Sequence, residues 1–241
     1  MPLWRSLAAG LLELVAPQTC ALCAVQAAER PWCGRGPAVP GLRALDAPHL
    51  CLSCRHKLAD LPVLALPEAA GLPVSAARTT GPDLVQVVAT WKYHGVRGLA
   101  WPLAELLLPA ARQVQGLVDG VPVLVPVPLH SRRRRERGFN QAELLARLTA
   151  ARLGWTCADL LQRVRATAQQ ARLTGGEARR RNLAGCCRAN PQAAGAVPGP
   201  VVLVDDIVTS GATLGEAARA LAAIGRRPTA AVALGLRGGS G

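Results

Sequence analysis

The stretch Pro200-Val-Val-Leu-Val-Asp-Asp-Ile-Val-Thr-Ser-Gly-Ala-Thr-Leu214 decides the fold. Val201 to Val204 is a short, wholly apolar and largely β-branched run behind Pro200, the pattern of a strand buried on both faces of a parallel sheet. Asp205 and Asp206 stand where such a strand emerges. A small hydroxyl-rich turn follows at Thr209, Ser210, Gly211, Ala212 and Thr213. Leu214, Ala217, Ala218, Leu221 and Ile224 then repeat at helical spacing.

Strand, acidic pair, turn and helix form a device with definite chemistry. A helix N-terminus presents unpaired N–H groups and a positive dipole end, which suit a phosphate. Gly211 lets the backbone come close to a ligand, and the hydroxyls add donors. The carboxylates would repel that phosphate, and are better suited to sugar hydroxyls, directly or through Mg²⁺. The run Val-Leu-Val-Asp-Asp-Ile-Val-Thr-Ser-Gly-Ala-Thr resembles the phosphoribosyl-pyrophosphate (PRPP) motif of type I phosphoribosyltransferases, with Ser210 where that family more often has threonine. A solvated acidic turn is the plain alternative. Nucleotide hydrolases and phosphorylation receivers also carry acids at strand ends, but a hydrolase needs a Gly-rich Lys-Ser/Thr loop, which this sequence lacks.

Outward from this stretch, Val121 to Val127 is a second apolar strand, and Pro126-Val127-Pro128-Leu129-His130 is a rigid loop at its carboxyl end. Parallel sheets bind ligands at that edge, so the loop is expected to face the Asp205 turn. It runs into Arg132, Arg133, Arg134, Arg135 and Arg137, which fit pyrophosphate, a nucleic-acid backbone, or a solvated basic helix entrance. A helix over Gln141–Leu153 follows, with Leu144, Leu145, Leu148 and Leu153 on one face. Leu160 to Val164 reads as a third strand and Thr229 to Leu236 as a closing one. Between them, the polar and basic segments from Arg165 through Arg172 to Thr174 and from Glu177 to Leu183 read as a mobile flap. Upstream, Asp83 to Thr90 reads as a helix capped by Asp83. It leads into Trp91-Lys92-Tyr93-His94-Gly95, where Lys92 and Tyr93 suit either base stacking with phosphate contact or a plain helix end.

The N-terminal part has a different character. Residues 1–16 read as an amphipathic helix, too short and too interrupted by Arg5 and Glu13 to span a bilayer, with no signal-peptide cleavage pattern. Cys20-x2-Cys23 and Cys51-x2-Cys54 are two knuckles 27 residues apart, which together suit a closed, structural Zn²⁺ site. Cys33, His49 and His56 are substitutes for one ligand. Disulfides and a redox pair are the competing readings, disfavoured by a reducing cytosol and by the doubling of the motif. Leu61 to Pro73 reads as a connector. The organisation expected is an N-terminal helix and zinc-ribbon module over 1–60, a connector over 61–80, and an α/β domain over 81–241.

Of 241 residues, 28 are Lys or Arg and 15 Asp or Glu, giving a net charge of +13. Only two of the 28 are lysine, a bias expected of a GC-rich genome. Residues 130–190 contain 14 arginines and four acids, so the positive field is concentrated there and suits a polyanion or a phosphorylated substrate.

The order of motifs resembles the ComF family of phosphoribosyltransferase-like competence proteins across nearly the whole chain. Two cysteine knuckles precede a Lys-Tyr-x-Gly segment and Pro-Val-Pro-Leu-His-x-Arg-Arg-x-Arg-Glu-Arg-Gly-Phe-Asn-Gln. A Thr-x-x-Gln…Arg-x-x-Asn segment and the PRPP motif follow. The resemblance implies a type I phosphoribosyltransferase-like parallel sheet flanked by helices, with a small N-terminal zinc ribbon of four cysteines. It implies a cytoplasmic role in natural transformation and the handling of single-stranded DNA, alongside a competence helicase or other DNA-processing proteins, without membrane insertion. By the same resemblance Asp205 and Asp206 would hold ribose and Mg²⁺, residues 209–213 the 5′-phosphate, and Pro126, Pro128, Arg165 and Arg172 would face pyrophosphate. Lys92, Tyr93, Arg132, Arg133, Arg135 and Arg137 are the nucleic-acid candidates. The alternatives are a nucleobase-salvage transferase and a nucleic-acid-binding scaffold with a vestigial pocket. The insertion carrying Cys33 and Ser131 in place of a usual proline are departures from the family.

Overall fold

The computed structural model describes residues 19–25, 50–61, 68–165 and 183–237. The predicted N-terminal helix, Cys33, His49, Arg172 and nearly all of the predicted flap lie outside them. A six-stranded sheet organises the rest, in the order β1 (Glu68–Ala69), β2 (Leu72–Thr79), β8 (Ala230–Leu236), β7 (Val201–Val208), β3 (Val123–Pro126) and β4 (Thr156–Cys157). All neighbours are parallel except β1, which forms a hairpin with β2. The result is a mixed α/β architecture with a mostly parallel central sheet flanked by helices.

The apolar run at 201–204 alternates between two cores. Val202 and Val204 pack with Leu103, Leu145, Leu148 and Trp91 beneath α2 (Pro82–Tyr93), α3 (Ala100–Gln115) and α5 (Gln141–Leu153). Val201 and Leu203 pack on the opposite face with Ala194 of α6 (Pro191–Gly195) and with Leu214, Ala217 and Leu221 of α7 (Ala212–Ala222). Each face must be covered because a parallel strand without a solvent side has no polar positions to spare. The connection from β3 to β4 runs outward through α5, and that from β7 to β8 runs the other way through α7. The boundary between β3 and β7 is therefore a topological switch point, where open α/β sheets hold ligands.

Four expectations need correction. The predicted connector contains β2, a central strand of the sheet; Ser75 and Arg78 disguise it, yet both are buried and satisfied. Ser75 donates to Gln113 Oε1 at 2.6 Å, and Arg78 Nε donates to the Leu58 carbonyl at 3.1 Å. Helix α2 starts from Gly81 and Pro82 rather than from a capping Asp83, whose carboxylate instead pairs with Lys57 at 2.7 Å. The predicted third strand is β5 (Leu161–Arg163), paired with β6 (Cys187–Ala189) in a separate antiparallel hairpin because β4 already occupies the edge beside β3. Strand β7 also runs on to Val208, so the acidic pair lies inside it, beyond the last residue of β3.

The described part of the cysteine module is joined to this body. Cys20, Leu50, Cys54 and Leu58 belong to the same core as Trp91 and Leu103. Helix α1 (Leu52–Ala59) lies against α3, and Gln86 of α2 donates to the Leu22 carbonyl at 3.2 Å. Among the described residues no helix is long and apolar enough to cross a membrane.

Candidate functional site

A cavity of about 360 Å³ opens at the carboxyl ends of β3 and β7, within the size range of small-molecule sites. Asp205, Asp206, Thr209 and Thr213 form one wall, and Val127, Pro128 and Leu129 form another, so the proline loop does face the acidic turn. The buried side chain of Asn140 fixes that loop, donating from Nδ2 to the Val127 carbonyl at 3.1 Å. Five cationic side chains border the cavity: Lys92, Arg133, Arg137, Arg163 and Arg237. Two carboxylates face them.

Each cation arrives from a different element for a local reason. Helix α4 (Ser131–Arg137) is seven residues long, opened by the His130 Nδ1 acceptor and closed by Gly138 in the left-handed region at φ 80°. Arg133 and Arg137 are one helical turn apart and half-buried toward the cavity, whereas Arg132 and Arg135 are exposed. Arg132 pairs with Glu136 at 2.9 Å. Arg137 lies over the Tyr93 ring with its guanidinium carbon 5.3 Å from the centroid. Burial, then repulsion from the Arg163 and Arg137 guanidiniums, pulls Arg133 below its ordinary value. Cations crowded in this way leave positive potential aimed into the cavity, a demand for an anion.

The acidic pair is held differently. Asp205 accepts from the Asp206 N–H at 2.8 Å, and Asp206 Oδ1 accepts from the Ile207 N–H at 2.6 Å and from Lys92 Nζ at 2.8 Å. Burial, reinforced by the charge of Asp206, pushes the Asp205 carboxyl up to about 7 against the weaker pull of Lys92 and Arg163. At neutral pH it sits near its midpoint and can accept from or donate to a sugar hydroxyl. A bound divalent cation would drive it fully to carboxylate.

The turn between β7 and α7 has only part of its length on the cavity. Thr209 and Thr213 line it; Ser210 is exposed. Gly211 (φ 68°) is buried and pressed against the β1–β2 hairpin, where an added Cβ would lie 2.9 Å from Ala69 Cβ. Ala212 packs against Leu183 and Cys186. Pro126 ends β3 opposite Val204 and only Pro128 of the two prolines reaches the cavity. Arg165 donates to the Ala184 carbonyl at 2.7 Å and is not part of the cavity wall. The polar and charged cavity residues that sequence reasoning missed are Thr80, Asn140, Gln141, Arg163 and Arg237. Arg237 directly follows the carboxyl end of β8, and that position was the signal that could have found it.

The second site is the cysteine cluster. The sulfurs of Cys20, Cys23, Cys51 and Cys54 lie within 4.8 Å of one another, with Cys23 and Cys51 at 3.7 Å. Four thiolates about 2.3 Å from a tetrahedral Zn²⁺ would be separated by about 3.8 Å, so the set fits a structural metal such as zinc. Burial opposes ionisation of Cys20, but the N–H groups around both knuckles outweigh it and lower the thiol to about 6. Cys51 stands at the N-terminus of α1 and Cys54 in its first turn, where burial and the neighbouring sulfurs push the Cys54 thiol up. His56 is not in the cluster.

No protein-family profile matches the chain. It is similar to curated proteins named DNA utilization protein YhgH: 38% identical over 146 residues to that of Salmonella typhi, and 40% over 146 to that of Salmonella typhimurium. The Escherichia coli K12 protein of the same name is 35% identical over 145 residues. These matches cover 58% of this chain and 61% of each relative. The chain thus spans about three-fifths of the length of the curated relatives it matches.

Proposed function

We propose that the cavity binds PRPP and that the protein is a phosphoribosyltransferase-like factor of the ComF type, acting in the uptake and handling of single-stranded DNA. The observation that carries the PRPP reading is one cavity at the switch point, bringing together the acidic pair, the threonines of the following turn and five cations. A 5′-phosphate would sit at the Thr209–Thr213 turn, the ribose hydroxyls on Asp205 and Asp206, and the pyrophosphate among Arg133, Arg137 and Arg163. Mg²⁺ would accompany the pyrophosphate and offset its charge as it leaves. Transfer would place the positive charge that develops at the ribose beside the carboxylates, and the departing negative charge beside the arginines.

The DNA reading draws on the relatives, whose name is DNA utilization protein, and on the exposed arginines of α4. Those residues lie beside the cavity mouth, where a single strand held by its phosphates would present its bases to Tyr93, 67% exposed. In this reading the work takes place in the cytoplasm with DNA-processing partners.

Calorimetric titration with PRPP, with and without Mg²⁺, tests the proposal on the zinc-loaded protein and on Asp205→Ala/Asp206→Ala. Binding to the wild type and its loss in the double variant is the expected result. A folded wild-type protein that takes up no PRPP removes the transferase reading and leaves a DNA-handling scaffold.

A further inference from the structure

The sequence marks Lys92 as a residue to touch nucleic acid, yet its side chain is turned the other way. Its ammonium lies 2.8 Å from Asp206 Oδ1, and the two side chains are 19% and 14% exposed. The pair joins α2 to β7 across the cavity, between residues 114 positions apart. Such a contact is not the surface ion pair that salt and side-chain entropy erase, because both partners are largely out of water. The cation stands on the carboxylate that the sugar-phosphate reading gives to ribose and Mg²⁺.

We infer that Lys92 is a resident cation of the acidic pair, neutralising Asp206 in the ligand-free protein and keeping free divalent metal out until metal arrives with the ligand. The charges around the site support this. Arg133, Arg137, Arg163 and Arg237 border the same cavity, so a bare dication entering it meets four guanidiniums and an ammonium, against two carboxylates. One of those carboxylates already has Lys92 and the Ile207 N–H on the same oxygen. A metal carried on a pyrophosphate enters with its charge cancelled and with anionic oxygens for the arginines. The ammonium is tethered to α2 and can move from Asp206 to those oxygens as the metal takes its place. Lys92 is therefore a positioning residue that orders metal and ligand.

The test is Mn²⁺ binding to the zinc-loaded, ligand-free protein, followed by electron paramagnetic resonance. Mn²⁺ prefers the carboxylate site to the cysteine cluster. Wild type should bind weakly and Lys92→Met at least tenfold more tightly, with Lys92→Arg close to wild type. Adding Asp206→Asn to Lys92→Met should abolish the gain. Lys92→Gln provides the same comparison if the methionine variant does not fold. Equal Mn²⁺ affinity in wild type and the folded neutral variants overturns the inference, as does a gain that survives Asp206→Asn. The metal's purpose rests on the sugar-phosphate reading, but PRPP titration of the wild type tests that separately. A Mn²⁺ gain without PRPP binding keeps the resident cation and removes the transferase; PRPP binding without a Mn²⁺ gain does the reverse.

Discussion

Asp205 makes the folded protein sensitive to pH in a direction opposite to that of an ordinary paired carboxylate. Its pKa is raised to about 7 by burial and by Asp206, against about 3.9 in an unfolded chain. Between those values the folded state holds a proton that the unfolded state has lost, so this residue's contribution to stability falls as pH rises and its cost is complete above neutrality. Asp205→Asn should melt several degrees higher than wild type at pH 8 in magnesium-free buffer and converge with it at pH 4, read by thermal denaturation. Gly211 is constrained by geometry rather than charge. Its left-handed backbone and the 2.9 Å approach to Ala69 both exclude a side chain, so Gly211→Ala should cost at least about 1 kcal/mol in denaturant unfolding and weaken PRPP binding. Both residues stand out in the sequence, where acids and hydroxyls after an apolar run are explicit. That Gly211 faces the β1–β2 hairpin instead of a ligand was not legible, since the hairpin is some 140 residues away in the chain.

At the scale of elements, α4 turns Arg133 and Arg137 toward the cavity and leaves Arg132 and Arg135 exposed. Arg133→Ala/Arg137→Ala should weaken PRPP at least tenfold in calorimetry. Arg132→Ala/Arg135→Ala should leave PRPP unchanged and lower the slope of log affinity against log salt for single-stranded DNA by about 1.4, two phosphate contacts at about 0.7 each. The sequence displays a run of arginines without its phase; seven residues of helix from His130 to Gly138 set which ones turn inward. Helix α5 was legible to the residue because its leucines repeat on one face. Helix α3 was not, because Pro102 and Pro109 interrupt the pattern of a helix that tertiary packing nonetheless completes. Strand β2 was hidden for a related reason. Its polar residues find partners in α3 and α1, which only the folded chain supplies.

At the scale of the molecule, the cysteine cluster belongs to the main core. Stripping zinc-loaded protein with a strong chelator should lower the temperature of one cooperative calorimetric transition, without splitting off a separate small one. The knuckles announce a candidate metal site in the sequence, whereas their union with the body depends on Leu50, Leu58 and Trp91, residues without a motif. Helix α2 gives that union a further meaning. Near its start Asp83 and Gln86 are tied to Lys57 and Leu22 of the cysteine module, and at its end Lys92 and Tyr93 reach the cavity. One rigid rod thus has an end in each site, and any ligand that steadies one end steadies the other. If PRPP fills the cavity and zinc the cysteine cluster, thermodynamic reciprocity couples them: saturating PRPP should tighten zinc in equilibrium competition with a chromophoric chelator, and zinc should tighten PRPP by the same factor.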